Sequence, residues 1–295
     1  PLKVSAVRWM NRWLRQGNDI VIPPESETGR KADEVNVTEG GKVMKLAGAR
    51  SVYDIMRDEA ARLAAARKAG ARPLRDAVRG VAVMRELGAI PAPVENVRAT
   101  TPYEGGVIRR VALMQAGGVA VPAVLFRPDK PQGQPALVVD GVGKTNAAAS
   151  VAALVREGRA VLAADVCGFG ETYGAAHTFY GAANRDEGPA VMAYLLGRPL
   201  VGMRAEDVLM CARWLSATCG AKAVGLYASN WAVTPALHAA VAEPQLFATV
   251  TLSDAPLAWE EVVAKGDRHR FSDLAHGALR AYAIEDLKKA AQKQN

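Results

Sequence analysis

Long apolar runs are missing from this 295-residue sequence. The longest is only a handful of residues, too short to span a bilayer, so no membrane partner is expected. Cysteine is scarce as well. Cys167, Cys211 and Cys219 make an odd set without a CxxC pair. That argues against a disulfide framework and a thiolate zinc site and leaves three reduced, small hydrophobes. Aromatic residues supply only 6% of the chain, and histidine occurs four times, at His177, His238, His269 and His276. No metal or organic cofactor is implied. The first residues lack the charged-then-apolar pattern of a signal peptide, and location in the cell is left open. The sequence begins at Pro1 rather than Met, as a processed product or a piece of a longer protein would.

What is present is apolar and basic. Half of the residues are hydrophobic and the net charge is +7. Residues 1–80 hold 16 Lys or Arg against 10 Asp or Glu. Interleaving of signs, as in Asp54, Arg57, Asp58, Glu59 and Arg62, reads as a solvated helix face rather than a nucleic-acid surface.

Residues 2–15 place Val7, Met10 and Leu14 at helical spacing, with Trp9 and Trp13 beside them. A polar, Pro-containing connector follows, then "EVNVTEGGKVMKL", which predicts a small hairpin around Gly40-Gly41. Ser51 and Asp54 form a capping box that opens a helix through Ala69, and a second helix is expected from Pro73 to about Leu87. Beyond residue 90 the pattern changes. "VENVRATT", "GVIRRVALMQ" and "VAVPAVLFRP" read as an antiparallel meander. "PALVVDG", "RAVLAADVCGFG", "KAVGLYA" and "LFATVTLSD" are short apolar strands alternating with helices near 145–157, 186–197, 202–218 and 231–241. This is the pattern of a mostly parallel sheet flanked by helices. The expected organisation is a helical segment over 1–89 and an α/β domain over 90–295.

Three stretches could carry chemistry. "VVDGVGKT" (138–145) ends Gly143-Lys144-Thr145, like a phosphate loop, but Val138 stands where that loop needs its first glycine. A nucleotide-hydrolysing protein is therefore a minor alternative. "ADVCGFGET" (164–172) puts glycines at a strand end, and Cys167 there has no neighbour in sequence to activate it. "VGLYASNWAVTPALHAA" (224–240) has the strand–turn–helix form of a nucleophile elbow. Ala228 and Ala232 supply the small flanking residues so sharp a turn demands. The middle position is Asn230, whose amide has no oxygen that a base can activate. Ser229, one residue early, is a weak substitute.

"PALVVDGVGK", "EGRAVLAADVCGFGET", "LLGRPLVGMRAEDVLMCARWL", "VGLYASNWAVTPALHAA" and "LFATVTLSDAPLAWEEVV" together resemble bacterial acetyl-xylan-esterase-like hydrolases of the α/β-hydrolase superfamily, some of which carry two hydrolase domains in tandem. The resemblance covers roughly residues 90–285. It implies an α/β-hydrolase fold with antiparallel leading strands and a metal-free serine esterase of acylated sugars. The family's nucleophile falls on Asn230. Its oxyanion donors fall on the N–H groups of Trp231 and of the Gly141-Val142-Gly143 loop. Its loop histidine is replaced by Asp140. The strands that carry the family's acid and histidine have no counterpart in the sequence, and Asp254 is a weak substitute acid. "PLKVSAVRWMNRWL" resembles the last helix of a preceding hydrolase domain.

Two principal readings follow. One is a non-catalytic hydrolase fold serving in binding or assembly, with an acylated carbohydrate over Trp231, Asp140 and Asn230, or with a partner chain or second copy at an open sheet edge. The other is an active esterase completed by residues outside this chain.

Overall fold

The computed structural model describes residues 2–17, 30–69, 72–174, 187–254, 258–265 and 271–293. Two compact units divide between Ser51 and Val52. The smaller contains α1 (Leu2–Leu14), whose Trp9, Met10, Trp13 and Leu14 are exposed, and the short α2 (Ala32–Val35). The hairpin expected around Gly40-Gly41 does not form. Two 3-10 turns, Glu39–Gly41 and Val43–Lys45, stand in its place. Gly40 and Gly41 both take positive φ and wind the chain, and so short a hairpin would in any case be marginal without further strands.

The larger unit is built on one seven-stranded sheet: β1 (Val94–Tyr103), β2 (Gly106–Met114), β3 (Ala120–Pro128), β4 (Ala136–Asp140), β5 (Val161–Ala164), β6 (Val224–Ser229) and β7 (Phe247–Leu252). Their order is β1-β2-β3-β5-β4-β6-β7. The first four neighbours in that order pair antiparallel, and β5, β4, β6 and β7 pair parallel. Every residue of β4 and β5 is buried, as central strands covered on both faces require. This is the mostly parallel sheet with antiparallel leading strands that the sequence pattern predicts. Among the described residues no strand pairs with the outer side of β7.

Helices cover both faces. On one lie α4 (Leu74–Ala82), α7 (Leu200–Cys219), α8 (Val233–Ala242) and α10 (Ile284–Gln292), which enclose the main core. On the other, α5 (Ala148–Arg156) packs Val151 and Leu154 on Ala136, Val138, Val161 and Ala163. The remaining helices are α3 (Val52–Ala69), α6 (Glu187–Leu195) and α9 (Trp259–Lys265). Helices α3 and α4, which the sequence groups with the N-terminal segment, fall in the larger unit.

Helix α4 stops at Ala82, five residues short of the expected end. Val83 turns left-handed, and the Arg85 N–H donates to Glu206 Oε1 at 2.6 Å. A tertiary bond to a buried carboxylate thus overrides local propensity. Gly202 brings α7 against α4, because a Cβ there would fall on the Ala82 carbonyl oxygen.

Candidate active-site elbow

The β4–β6 register sets Asp140 opposite Ser229 at the carboxyl ends of two central parallel strands. From Ser229 the chain turns through a 3-10 segment, Asn230–Ala232, into α8. Ala228 and Ala232 are both buried, as the packing of a sharp elbow requires. Asn230 sits at φ 53°. Asparagine tolerates that region better than most non-glycine residues, so it suits the turn, and its side-chain amide is not a nucleophile. Gly141 lies against the backbone of Trp231, where any Cβ would fall on its N and Cα atoms. The loop after β4 and the elbow are therefore in direct contact.

Asp140 is the hub. One carboxylate oxygen accepts from the Val142 N–H at 2.7 Å and the Gly143 N–H at 3.3 Å. The other accepts from Ser229 Oγ at 2.5 Å, Asn230 Nδ2 at 2.9 Å and Asn146 Nδ2 at 3.0 Å. Burial pushes its pKa upward, but the bonds from Ser229, Asn146, Val142 and Asn230 outweigh burial and hold it below the ordinary carboxylate range. So acidic a carboxylate is a poor base for the Ser229 hydroxyl. The Gly141 N–H donates to the Ser229 carbonyl. All three expected loop donors, Gly141, Val142 and Gly143, thus have acceptors within the protein. Val142 keeps its side chain exposed, and Trp231 is half-buried.

Asp254, just past β7, accepts the Asn230 N–H at 2.6 Å. The structure therefore brings Asp140, Ser229, Asn230, Trp231 and Asp254 together. It does not bring a described histidine to them. His238 is fully buried in α8, with Nδ1 at 2.8 Å from the Thr234 carbonyl and Nε2 at 3.1 Å from the Tyr282 hydroxyl. Burial pushes its pKa down to about 4, only partly opposed by the Thr234 bond. His276 packs edge-on to Tyr194, with ring centroids 5.3 Å apart. His177 and His269 lie outside the described residues.

The Gly143-Lys144-Thr145 stretch is not built as a phosphate cradle. Lys144 Nζ reaches Asp165 Oδ2 at 2.6 Å and also pairs with Glu171, while its N–H donates to Asp165 Oδ1 at 2.6 Å. Together with the amides taken by Asp140, this leaves that loop closed by internal anions rather than open to a phosphate. The helix expected from about Thr145 begins at Ala148 for the same reason: Lys144 and Asn146 are held by side chains outside α5.

One buried polar cluster escapes sequence inspection. Arg204, fully buried in α7, donates from Nε to the Cys167 carbonyl at 2.8 Å and stacks over Phe169 at 4.1 Å. Asp207, one turn on, accepts from the Cys167 N–H at 2.9 Å and Gln115 Nε2 at 2.6 Å. Burial raises its pKa to about 6 against those two bonds. The cluster fixes the 165–172 loop to α7. The signal was Arg204, Glu206 and Asp207 within an otherwise apolar helix, but their partners come from distant segments.

A protein from Bacteroides fragilis assigned as an acetyl xylan esterase has a similar structure. The TM-score is 0.62 at 13% identity, over 89% of this chain and 75% of that one. Acetyl Xylan Esterase 1 from Thermoanaerobacterium gives a TM-score of 0.43 at 15% identity, over 61% of this chain and 57% of that one. No family model matches the sequence, and no curated protein matches it. The fold is that of an α/β-hydrolase. At such identities the likeness defines the fold alone, and the chemistry must be argued from the site.

Proposed function

We propose that this chain is a catalytically silent α/β-hydrolase, an esterase-like scaffold used for binding or assembly. The observation that carries the proposal is the Asp140 hub. By resemblance its loop is the one that would stabilise a developing oxyanion in an esterase, and its carboxylate already accepts from two loop amides, Ser229 and Asn230. A fixed negative charge disfavours a second one beside it. The elbow residue is an amide, and the adjacent hydroxyl donates to an acidic carboxylate rather than to a histidine. The nucleophile position and the loop donors are thus both compromised in one place, and no described histidine stands beside them. The ligand class favoured for this face is an acylated carbohydrate meeting Trp231 and Val142.

The test is hydrolysis of p-nitrophenyl acetate by the native chain and by Asn230→Ser. Both are expected at the buffer background, because the serine would still face Asp140 and lack a base. Turnover that appears in Asn230→Ser would contradict the proposal. One observation favours a second reading: the chain spans 75% of the Bacteroides fragilis structure. In that reading, residues outside these 295 supply the missing base, and activity appears only in a longer protein.

A further inference from the structure

Helices α3, α6 and α9 and the Leu274–Arg280 segment line a half-open cavity of about 690 Å3 in the larger unit. That volume lies within the range of small-molecule sites. None of its walls belongs to the elbow: Asp140, Ser229, Asn230 and Trp231 are absent from its lining. The inference therefore stands apart from the proposed loss of catalysis. Its body is apolar, with Met56, Val262, Leu274 and the buried Trp259 among its walls. Its polar groups are Tyr53, Tyr194, His276 and Arg280, and among the described residues no carboxylate side chain lines it.

Charge selects among apolar ligands. Arg280 is exposed at the cavity and has no ion-pair partner among the described residues. Glu59, which feels Arg280 electrostatically, gives both oxygens to Arg62. His276 is held beside Tyr194 by the edge-on ring contact, which places a second nitrogen donor on the same cavity segment as Arg280. An apolar body with a guanidinium and an imidazole on one wall, and no acid among its described lining, complements an amphipathic anion. We propose that this cavity binds a medium-chain carboxylate, with its tail against Trp259 and Leu274 and its head at Arg280 and His276.

The test is calorimetric titration of the full chain with dodecanoate below its micelle concentration, and with dodecyltrimethylammonium as the cationic counterpart. The expected result is one dodecanoate per chain and no comparable binding of the cation. Arg280→Gln, an exposed position, is expected to weaken dodecanoate about tenfold. Val262→Trp, which fills the cavity, is expected to abolish binding. If Val262→Trp does not fold, Arg280→Gln decides. No binding of dodecanoate, equal binding of the cation, or undiminished affinity in Arg280→Gln would overturn the proposal, as would undiminished affinity in a folded Val262→Trp.

Discussion

Asp140 shows how one side chain can close a site that the surrounding backbone leaves in shape. Its five donors come from the loop, the elbow and the start of the following turn, so removing the acceptor leaves the buried Gly143 N–H and the half-buried Ser229 and Asn230 donors without it. Asp140→Ala is expected to destabilise the chain by about 3 kcal/mol, read as a lower urea midpoint; an unchanged midpoint would show that water replaces the carboxylate at no cost. Asp207 and His238 make opposing contributions to acid stability. Burial raises Asp207 to about 6, so its contribution is full below the ordinary carboxylate pKa near 4 and is lost as pH rises through 6. Burial lowers His238 to about 4, so its contribution is present above the ordinary histidine pKa near 6.5 and is lost as pH falls toward 4. Asp207→Asn removes the first and exposes the second. The variant is expected to gain up to roughly 3 kcal/mol over the native chain at pH 7.5 and little at pH 4.5. Parallel stability profiles for the two proteins would refute this. At this scale the sequence was informative about Asn230, since the alanines two residues to either side mark an elbow whatever stands between them. It was uninformative about Asp140 as an acceptor, because its donors are gathered by strand register and loop closure, which no local pattern encodes.

Elements were legible where their pattern was strong and tertiary demands agreed with it. The apolar β5, the β4 run that is apolar up to Asp140, the long α7 followed by Gly220 in the left-handed region, and the antiparallel leading strands all follow from periodicity and punctuation. The misses share a cause. The end of α4 is set by Glu206, and the start of α5 by Asp140 and Asp165, so distant carboxylates decide boundaries that propensity would place elsewhere. The Gly40-Gly41 hairpin lacked any third strand to support it. Two glycines with opposite roles test the packing of α4. Gly202→Ala would force a methyl onto the Ala82 carbonyl and is expected to cost about 2 kcal/mol. Gly80→Ala, inside α4 with open space around a new Cβ, is expected to stabilise by about 0.5–1 kcal/mol. Thermal melts of the two variants should therefore move in opposite directions, and a common direction would contradict the close approach of α7 to α4.

Across the whole molecule, the fold likeness leaves the activity open, and the proposal of a silent elbow rests on the site chemistry around Asp140 and Asn230. The sheet adds a further consequence. Strand β7, the edge of the sheet among the described residues, reads FATVTL, with no charge and no proline to deter pairing, and Thr251 is exposed. The chain is expected to self-associate along this edge with rising concentration, and Thr251→Lys to reduce that association. Light scattering that finds a monomer at every concentration would remove this expectation. The claim that the elbow is silent is tested most directly by incubating the native chain with a fluorophosphonate and measuring its intact mass. The account predicts the unmodified 31.2 kDa chain, because Asn230 cannot react and Ser229 is held by Asp140. A single phosphonate adduct on Ser229 would show an activated serine and contradict it.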